Sequence, residues 1–277
     1  MKLCRFQPLE FSAADIHNAP GEVRPPALCG VVEGSIIHEF RDTASAASGI
    51  SVTLGPTGRS WPVSAVKFLP PSVPSKIVCV GRNYLDHANE LGNAVPTEPL
   101  IFLKPPSSII GSDEPIIIPS SSQRVDFEGE IALVIARRCS HLGAQEPVAS
   151  FLRGYTCLND VTARDLQKRD VQFTRGKGFD TFCPIGPFLE TDFDSSGLSV
   201  ETFVNGQRKQ SGHTSQMIFS VDVIIRWISQ VMTLEPGDVI ATGTPAGVGP
   251  LSAGDVVEVS VSGVGTIRNP VIGSDEI

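Results

Sequence analysis

One segment constrains this chain more than any other. Val125-Asp126-Phe127-Glu128-Gly129-Glu130 runs without a break into Ile131-Ala132-Leu133-Val134-Ile135-Ala136. Side chains at i, i+2 and i+4 of a strand share one face, so a strand reading points Asp126, Glu128 and Glu130 the same way. Successive members stand about 6.6 Å apart along it. The apolar continuation dives into a core. Three carboxylates at a core entrance repel one another and resist desolvation. A divalent cation relieves both difficulties, and oxygen-only donors favour Mg²⁺, Mn²⁺ or Ca²⁺ over zinc. Taken alone, the three acids fit a solvated strand face equally well.

The rest of the pattern is also strand-like. Short apolar runs follow one another at Ile77–Val80, Leu100–Leu103, Ile116–Ile118, Ile131–Ile135, Val239–Thr242 and Val256–Val261. Asn205-Gly206 is a two-residue hairpin signal. The 26 Gly and 22 Pro among 277 residues suit a turn-rich β protein. Helices are expected only over Tyr84–Leu91, stopped by Gly92; from Thr162, with Thr162 and Asp165 resembling a capping box; and over Val221–Met232. In that last helix Val223, Ile224, Trp227, Ile228, Val231 and Met232 mark one face. The fold class expected is predominantly β (α+β). Pro70-Pro71-Ser72-Val73-Pro74 marks a boundary between a small N-terminal β subdomain (1–70) and a catalytic domain (75–277). Within the first unit, Val31-Val32-Glu33-Gly34-Ser35-Ile36-Ile37 reads as two strands about a turn, and Thr43–Gly58 as a surface loop.

Composition removes several function classes. With 22 Lys+Arg against 30 Asp+Glu the formal charge is −8, which argues against nucleic-acid or anionic-membrane partners. The longest apolar runs are about six residues, far short of the roughly 20 that span a bilayer. The opening Met1-Lys2-Leu3-Cys4-Arg5 has no apolar stretch of the signal-peptide kind. The six cysteines are scattered without a C-x-x-C pair, so reduced thiols in a cytoplasmic protein are expected.

Further chemistry-bearing residues gather around the acidic segment. Asp160 ends the strand-like Gly154–Asn159 just before the second helix, where it serves either as a site carboxylate or as a helix cap. Basic residues cluster from Arg164 to Lys177, and Lys177 sits between Gly176 and Gly178, where backbone can approach a ligand closely. Thr242-Gly243-Thr244-Pro245-Ala246-Gly247-Val248-Gly249 satisfies neither a P-loop nor a dinucleotide fingerprint. It reads instead as a hydroxyl-lined turn whose N–H groups receive a carboxylate. His87 and Glu90 lie at i, i+3 on the first helix, a pairing that suits general-base chemistry or an ordinary surface contact.

These pieces, in order over roughly residues 75–270, resemble the fumarylacetoacetate hydrolase family. The matching segments are Val80-Gly81-Arg82-Asn83-Tyr84 with Asp86-His87, Phe102-Leu103-Lys104-Pro105, Asp126–Glu130, Asn159–Asp165, Lys177–Thr181 and Thr242–Gly249. The resemblance implies a mixed β-roll with few helices, a homodimer, and bound Mg²⁺ or Mn²⁺. It places metal ligands at Glu128, Glu130 and Asp160, and catalytic roles at His87, Glu90 and Lys177. Gln167 and Thr244 become substrate-binding residues, and Arg82 and Arg164 join them. The implied reaction is C–C bond cleavage in a small anionic 2-oxo acid, by acylpyruvate-type hydrolysis or oxaloacetate decarboxylation through an enolate. The alternatives are an isomerase or hydratase of a 2-hydroxy-diene-dioate, and a metal-binding homologue without catalysis.

Overall fold

The fold is that of a computed structural model, which describes residues 1–10, 27–42, 54–90, 94–192 and 197–276. Its centre is the strand Gly129–Ile135, buried along its whole length. Ile131, Leu133 and Ile135 pack with Ile224, Ile228 and Val259 on one face. Ala132 and Val134 pack with Ile77, Cys79 and Ile185 on the other. Cover on both faces explains why the sequence here is continuously apolar and does not alternate.

This strand lies between Leu152–Asn159 and Val239–Ala241, antiparallel to both. The large sheet continues past Val239–Ala241 through a parallel pairing to Ile77–Gly81 and ends on Leu100–Lys104. In the other direction it passes from Leu152–Asn159 to Cys183–Glu190 and then to the N-terminal strands Lys2–Pro8, Leu28–Glu33, Ile36–Asp42 and Leu54–Pro62. Lys2–Pro8 joins through the register Leu3↔Leu189, so the N-terminal strands extend the same sheet. A five-stranded sheet holds Gln207–His213, Ser199–Val204, Val256–Val261, Gly265–Gly273 and Ile116–Ile118. A three-stranded one joins Thr162–Ala163, Val125–Phe127 and Gly249–Pro250. Asn205 and Gly206 turn the expected hairpin with φ of 52° and 74°, the positive values that a type I′ turn requires.

Four α-helices are present among the described residues: α1 (Leu85–Glu90), α2 (Arg164–Asp170), α3 (Thr174–Lys177) and α4 (Val221–Val231). Helix α4 starts at Ser220, whose hydroxyl accepts from the Val223 N–H at 3.4 Å. Its buried face is Val221, Ile224, Ile225 and Ile228, while Val223 and Val231 point outward. That corrects the face expected from spacing, and Ile225 replaces Val223 in the core.

Other local expectations change as well. Asp126, Glu128 and Glu130 do not share one strand. The chain breaks at Glu128, leaving Asp126 in the three-stranded sheet and Glu130 in the large one. Gly129 makes the break tight, since a Cβ there would stand 2.0 Å from the Thr202 hydroxyl oxygen. No capping box opens α2. Thr162–Ala163 is a short strand, and Ala163 precedes the helix without a side-chain cap. The Asp165 carboxylate accepts instead from Ser122 Oγ at 2.6 Å and Gln123 N at 3.0 Å. Leu54–Gly58, expected as loop, belongs to a strand. The rest of that loop and Gly92 lie outside the described residues. Helix α3 was not foreseen, being too short to leave a periodic signal.

Candidate active site

The break at Glu128 builds the site. Asp126 falls on one side of it and Glu130 on the other. The Asp160 N–H donates to the Glu128 carbonyl at 2.8 Å, which brings the end of Leu152–Asn159 beside the break. Glu128, Glu130 and Asp160 consequently converge, each offering one carboxylate oxygen, with those oxygens within 4.8 Å of one another. All three are buried and line a cavity of about 270 Å³. Of the residues expected to form the site, all but Glu90 line this same cavity.

Each acid has one oxygen held by a neighbour. Glu128 Oε1 is paired with Arg164. Asp160 Oδ1 accepts from Lys104 Nζ at 2.7 Å. Glu130 Oε2 accepts from the Gly243 N–H at 2.7 Å. Lys177 Nζ sits between two of the remaining oxygens, 2.7 Å from Glu128 Oε2 and 2.6 Å from Asp160 Oδ2. Its ammonium also lies 5.0 Å from the Phe102 ring centre. Phe102 meets Phe173 edge-on at 5.4 Å, so an apolar wall faces the acids.

The electrostatics follow from this packing. Burial would raise the Glu128 carboxyl, but Lys177, Arg164 and His87 overcome it and hold Glu128 well below the usual carboxylate range. Glu130 has no ion-pair partner among the described residues, and the nearby Lys177 charge does not offset its burial. Burial, with Asp160 and Glu128 close by, pushes its carboxyl well above the usual value. Burial opposes the Lys177 charge, yet Asp160 and Glu128 outweigh it and keep the ammonium protonated. Lys177 therefore bridges two of the three carboxylates and leaves Glu130 outside its ion pairs. The cluster's donors are all hard oxygens, so the residues present fit a divalent cation of the Mg²⁺ or Mn²⁺ type.

His87 is buried and its Nδ1 lies 3.4 Å from Glu90 Oε2. Burial lowers the imidazole pKa despite Glu128 and Glu90, so the neutral base prevails at neutral pH. Glu90 is tied in turn to the turn after Val239–Ala241, accepting from the Gly247 N–H at 3.1 Å. The start of α1 is fixed by Asn83, whose amide nitrogen donates to Thr242 O at 2.8 Å and Phe219 O at 3.1 Å. Arg82 adopts a left-handed φ of 58°, unusual outside glycine, at the cavity wall.

Several expected roles take a different form. The Arg164 guanidinium is directed to protein partners: Asp126 Oδ2 at 2.9 Å, Glu128, and Gln167 Oε1 at 2.9 Å. The Thr244 hydroxyl donates to Gly129 O at 2.9 Å and accepts from Gln210 Nε2 at 2.7 Å. The turn N–H groups do receive carboxylates, but those of Glu130 and Glu90. Lys168 lies at the exposed rim, where it also lines the cavity. Lys104, Asn83 and Gln210 were missed. Lys104 and Asn83 lie in segments that carry the family resemblance, Phe102–Pro105 and Val80–Tyr84, but neither was given a role in the site. The six cysteines are free, and burial pushes Cys157 and Cys183 up to about 12, which excludes them as thiolate nucleophiles.

Residues 76–272 match the family described as fumarylacetoacetate (FAA) hydrolase C-terminal. An uncharacterized protein of Archaeoglobus fulgidus is 54% identical over 218 residues, 79% of this chain and 87% of that protein. The human mitochondrial oxaloacetate tautomerase FAHD2A is 45% identical over 224 residues, 76% of this chain and 71% of that protein. The crystal structure of 5-carboxymethyl-2-hydroxymuconate delta-isomerase from Mycobacterium smegmatis covers 99% of this chain and 100% of its own, with 40% identity and a TM-score of 0.84. No helix among the described residues is long and apolar enough to cross a membrane.

Proposed function

The chain belongs to the fumarylacetoacetate hydrolase family, and from that premise we propose that it moves a proton at C3 of a small 2-oxo dicarboxylic acid, interconverting keto and enol forms. One observation carries the reading: three buried carboxylates offer single oxygens to one point, with a lysine ammonium and a buried neutral imidazole facing the same cavity. The tautomerase and isomerase names of the relatives support a proton-transfer reaction on such an acid. Glu128, Glu130 and Asp160 would hold a divalent cation, which would supply Lewis acidity to a bound 2-oxo acid.

The chain's own residues then do the following. Lys177 presents a fixed positive charge to the oxygen that becomes negative when C3 loses its proton. His87 has Nδ1 turned to Glu90, which leaves Nε2 for the cavity, and the imidazole takes the C3 proton there. In the reverse direction the imidazolium returns that proton to C3. The oxygen of the enol exchanges its proton with water at the cavity mouth. Phe102 and Phe173 line the apolar side and limit water around the reacting carbon.

C–C cleavage is the second reading. The Glu90–His87 pair supports it, because the same Nε2 can deprotonate a water beside a C4 carbonyl. The test uses Mg²⁺-loaded protein with oxaloacetate and with acylpyruvates. Enol absorbance and C3 proton exchange in D₂O are followed, and pyruvate and CO₂ are assayed together with them. Faster enol decay and exchange without pyruvate is the expected result. Pyruvate formed in step with substrate loss would move the assignment to cleavage, and no effect on either substrate would sink both readings.

A further inference from the structure

Lys104 is 1% exposed and takes no part in the chemistry above, yet it ends within hydrogen-bonding distance of the acidic cluster. It closes Leu100–Lys104, the edge strand of the large sheet. Its Nζ donates to Asp160 Oδ1 at 2.7 Å and to the Val161 carbonyl at 3.1 Å. Two acceptors on consecutive residues fix the ammonium against the backbone as well as the carboxylate.

The other polar atoms of Asp160 are also committed. Its N–H donates to Glu128 O at 2.8 Å, and its carbonyl accepts from Thr162 Oγ1 at 2.9 Å. Only Oδ2 is directed at the cluster, where it meets Lys177 at 2.6 Å. We propose that Lys104 is a positioning residue that restricts Asp160 to one oxygen toward a bound cation, and thereby selects a small octahedral ion over Ca²⁺. The proposal rests on reading the cluster as a divalent-cation site.

The physical basis is the difference between the two ions. Mg²⁺ demands near-octahedral geometry with single oxygens at short distance. Ca²⁺ takes six to eight oxygens and readily accepts both from one carboxylate. An Asp160 whose Oδ1 is held by a buried ammonium cannot offer the pair without breaking a charge-assisted bond. Arg164 on Glu128 Oε1 and Gly243 N–H on Glu130 Oε2 restrict the other two acids in the same way. Among the described residues Lys104 hydrogen-bonds only to Asp160 and Val161, so its replacement removes no direct partner of Arg164.

The test compares Mg²⁺ and Ca²⁺ affinities by titration calorimetry for the unmodified protein and Lys104→Met. Methionine keeps the length and removes the donor and the charge. Loss of the charge alone strengthens binding of both divalent ions alike, and general loosening weakens both alike. The expected result is a fall of about tenfold or more in the Mg²⁺/Ca²⁺ affinity ratio, in line with the 10–100-fold effects of partners that hold metal ligands. An unchanged ratio overturns the proposal, whatever happens to either affinity alone. If Lys104→Met does not fold, Lys104→Gln removes the charge and shortens the reach, and the same ratio is decisive. Absence of binding of either ion to the unmodified protein refutes the cation-site reading itself, and so is distinguishable from failure of the Lys104 role.

Discussion

Replacing Lys177 by methionine puts the charge balance of the site to a direct test. Lys177 is 2% exposed, and its ammonium lies 2.7 and 2.6 Å from Glu128 and Asp160. The three acid oxygens stand within 4.8 Å of one another. At an effective dielectric of about 20, two full charges at that spacing repel by about 3.5 kcal/mol. Removing one partner of a buried ion pair costs about 3–5 kcal/mol. Metal-free Lys177→Met is therefore expected to lose about that much stability. At about 2–4 °C per kcal/mol, the melting temperature falls by about 6–20 °C. Excess Mg²⁺ should restore most of it, because the cation supplies the missing charge to the same carboxylates. The unmodified protein, already neutralised in part by its lysine, should gain less. Thermal unfolding with chelator and with Mg²⁺ reads both shifts. Turnover of the Mg²⁺-loaded variant should stay down by about 10²-fold or more, as for loss of an oxyanion donor. Equal Mg²⁺ stabilisation of both proteins would refute the shared-site reasoning. A defect confined to KM would reduce Lys177 to a carboxylate anchor.

Other outcomes follow from the same geometry. Glu130→Gln keeps an acceptor for the Gly243 N–H and removes one repelling charge, so the metal-free protein should melt no lower than the unmodified one while calorimetric Mg²⁺ binding is lost; retained binding would exclude Glu130 as a ligand. His87→Ala should slow C3 proton exchange by about 10²–10⁴-fold with Mg²⁺ affinity unchanged, and a parallel loss of affinity would make His87 structural. Because burial lowers the His87 pKa and the base must be neutral to act, the acid limb of kcat/KM should lie below the free-imidazole value of about 6.5; a limb above it contradicts the assignment. Arg164→Met frees Glu128 Oε1 and leaves Asp126 with Arg124 as its remaining cation, so calorimetry should show the Mg²⁺/Ca²⁺ affinity ratio falling by about tenfold or more; an unchanged ratio would deny Arg164 a part in positioning Glu128.

Much of this protein could be read along the chain because local chemistry decides it. Asn205-Gly206 fixes a hairpin through its positive φ values, and the unbroken run Ile131–Ile135 announces a strand covered on both faces. The three acids and Lys177 stood out because charges bordering apolar runs need partners. What the chain order could not supply was who those partners are. Periodicity placed Asp126 with Glu128 and Glu130, but the chain breaks beside Gly129, which packs closely on Thr202, and Asp126 pairs with Arg124 and Arg164. Spacing favoured Val223 on the inner face of α4, whereas the packing against Gly129–Ile135 takes Ile225. Lys104 and Asp160 are 56 residues apart, and Glu130 meets Gly243 across 113. Such pairs exist only once sheet register has set which strand ends lie side by side. A residue's type states what it needs when buried; the strand pairing, formed over long separations, decides which atom meets that need.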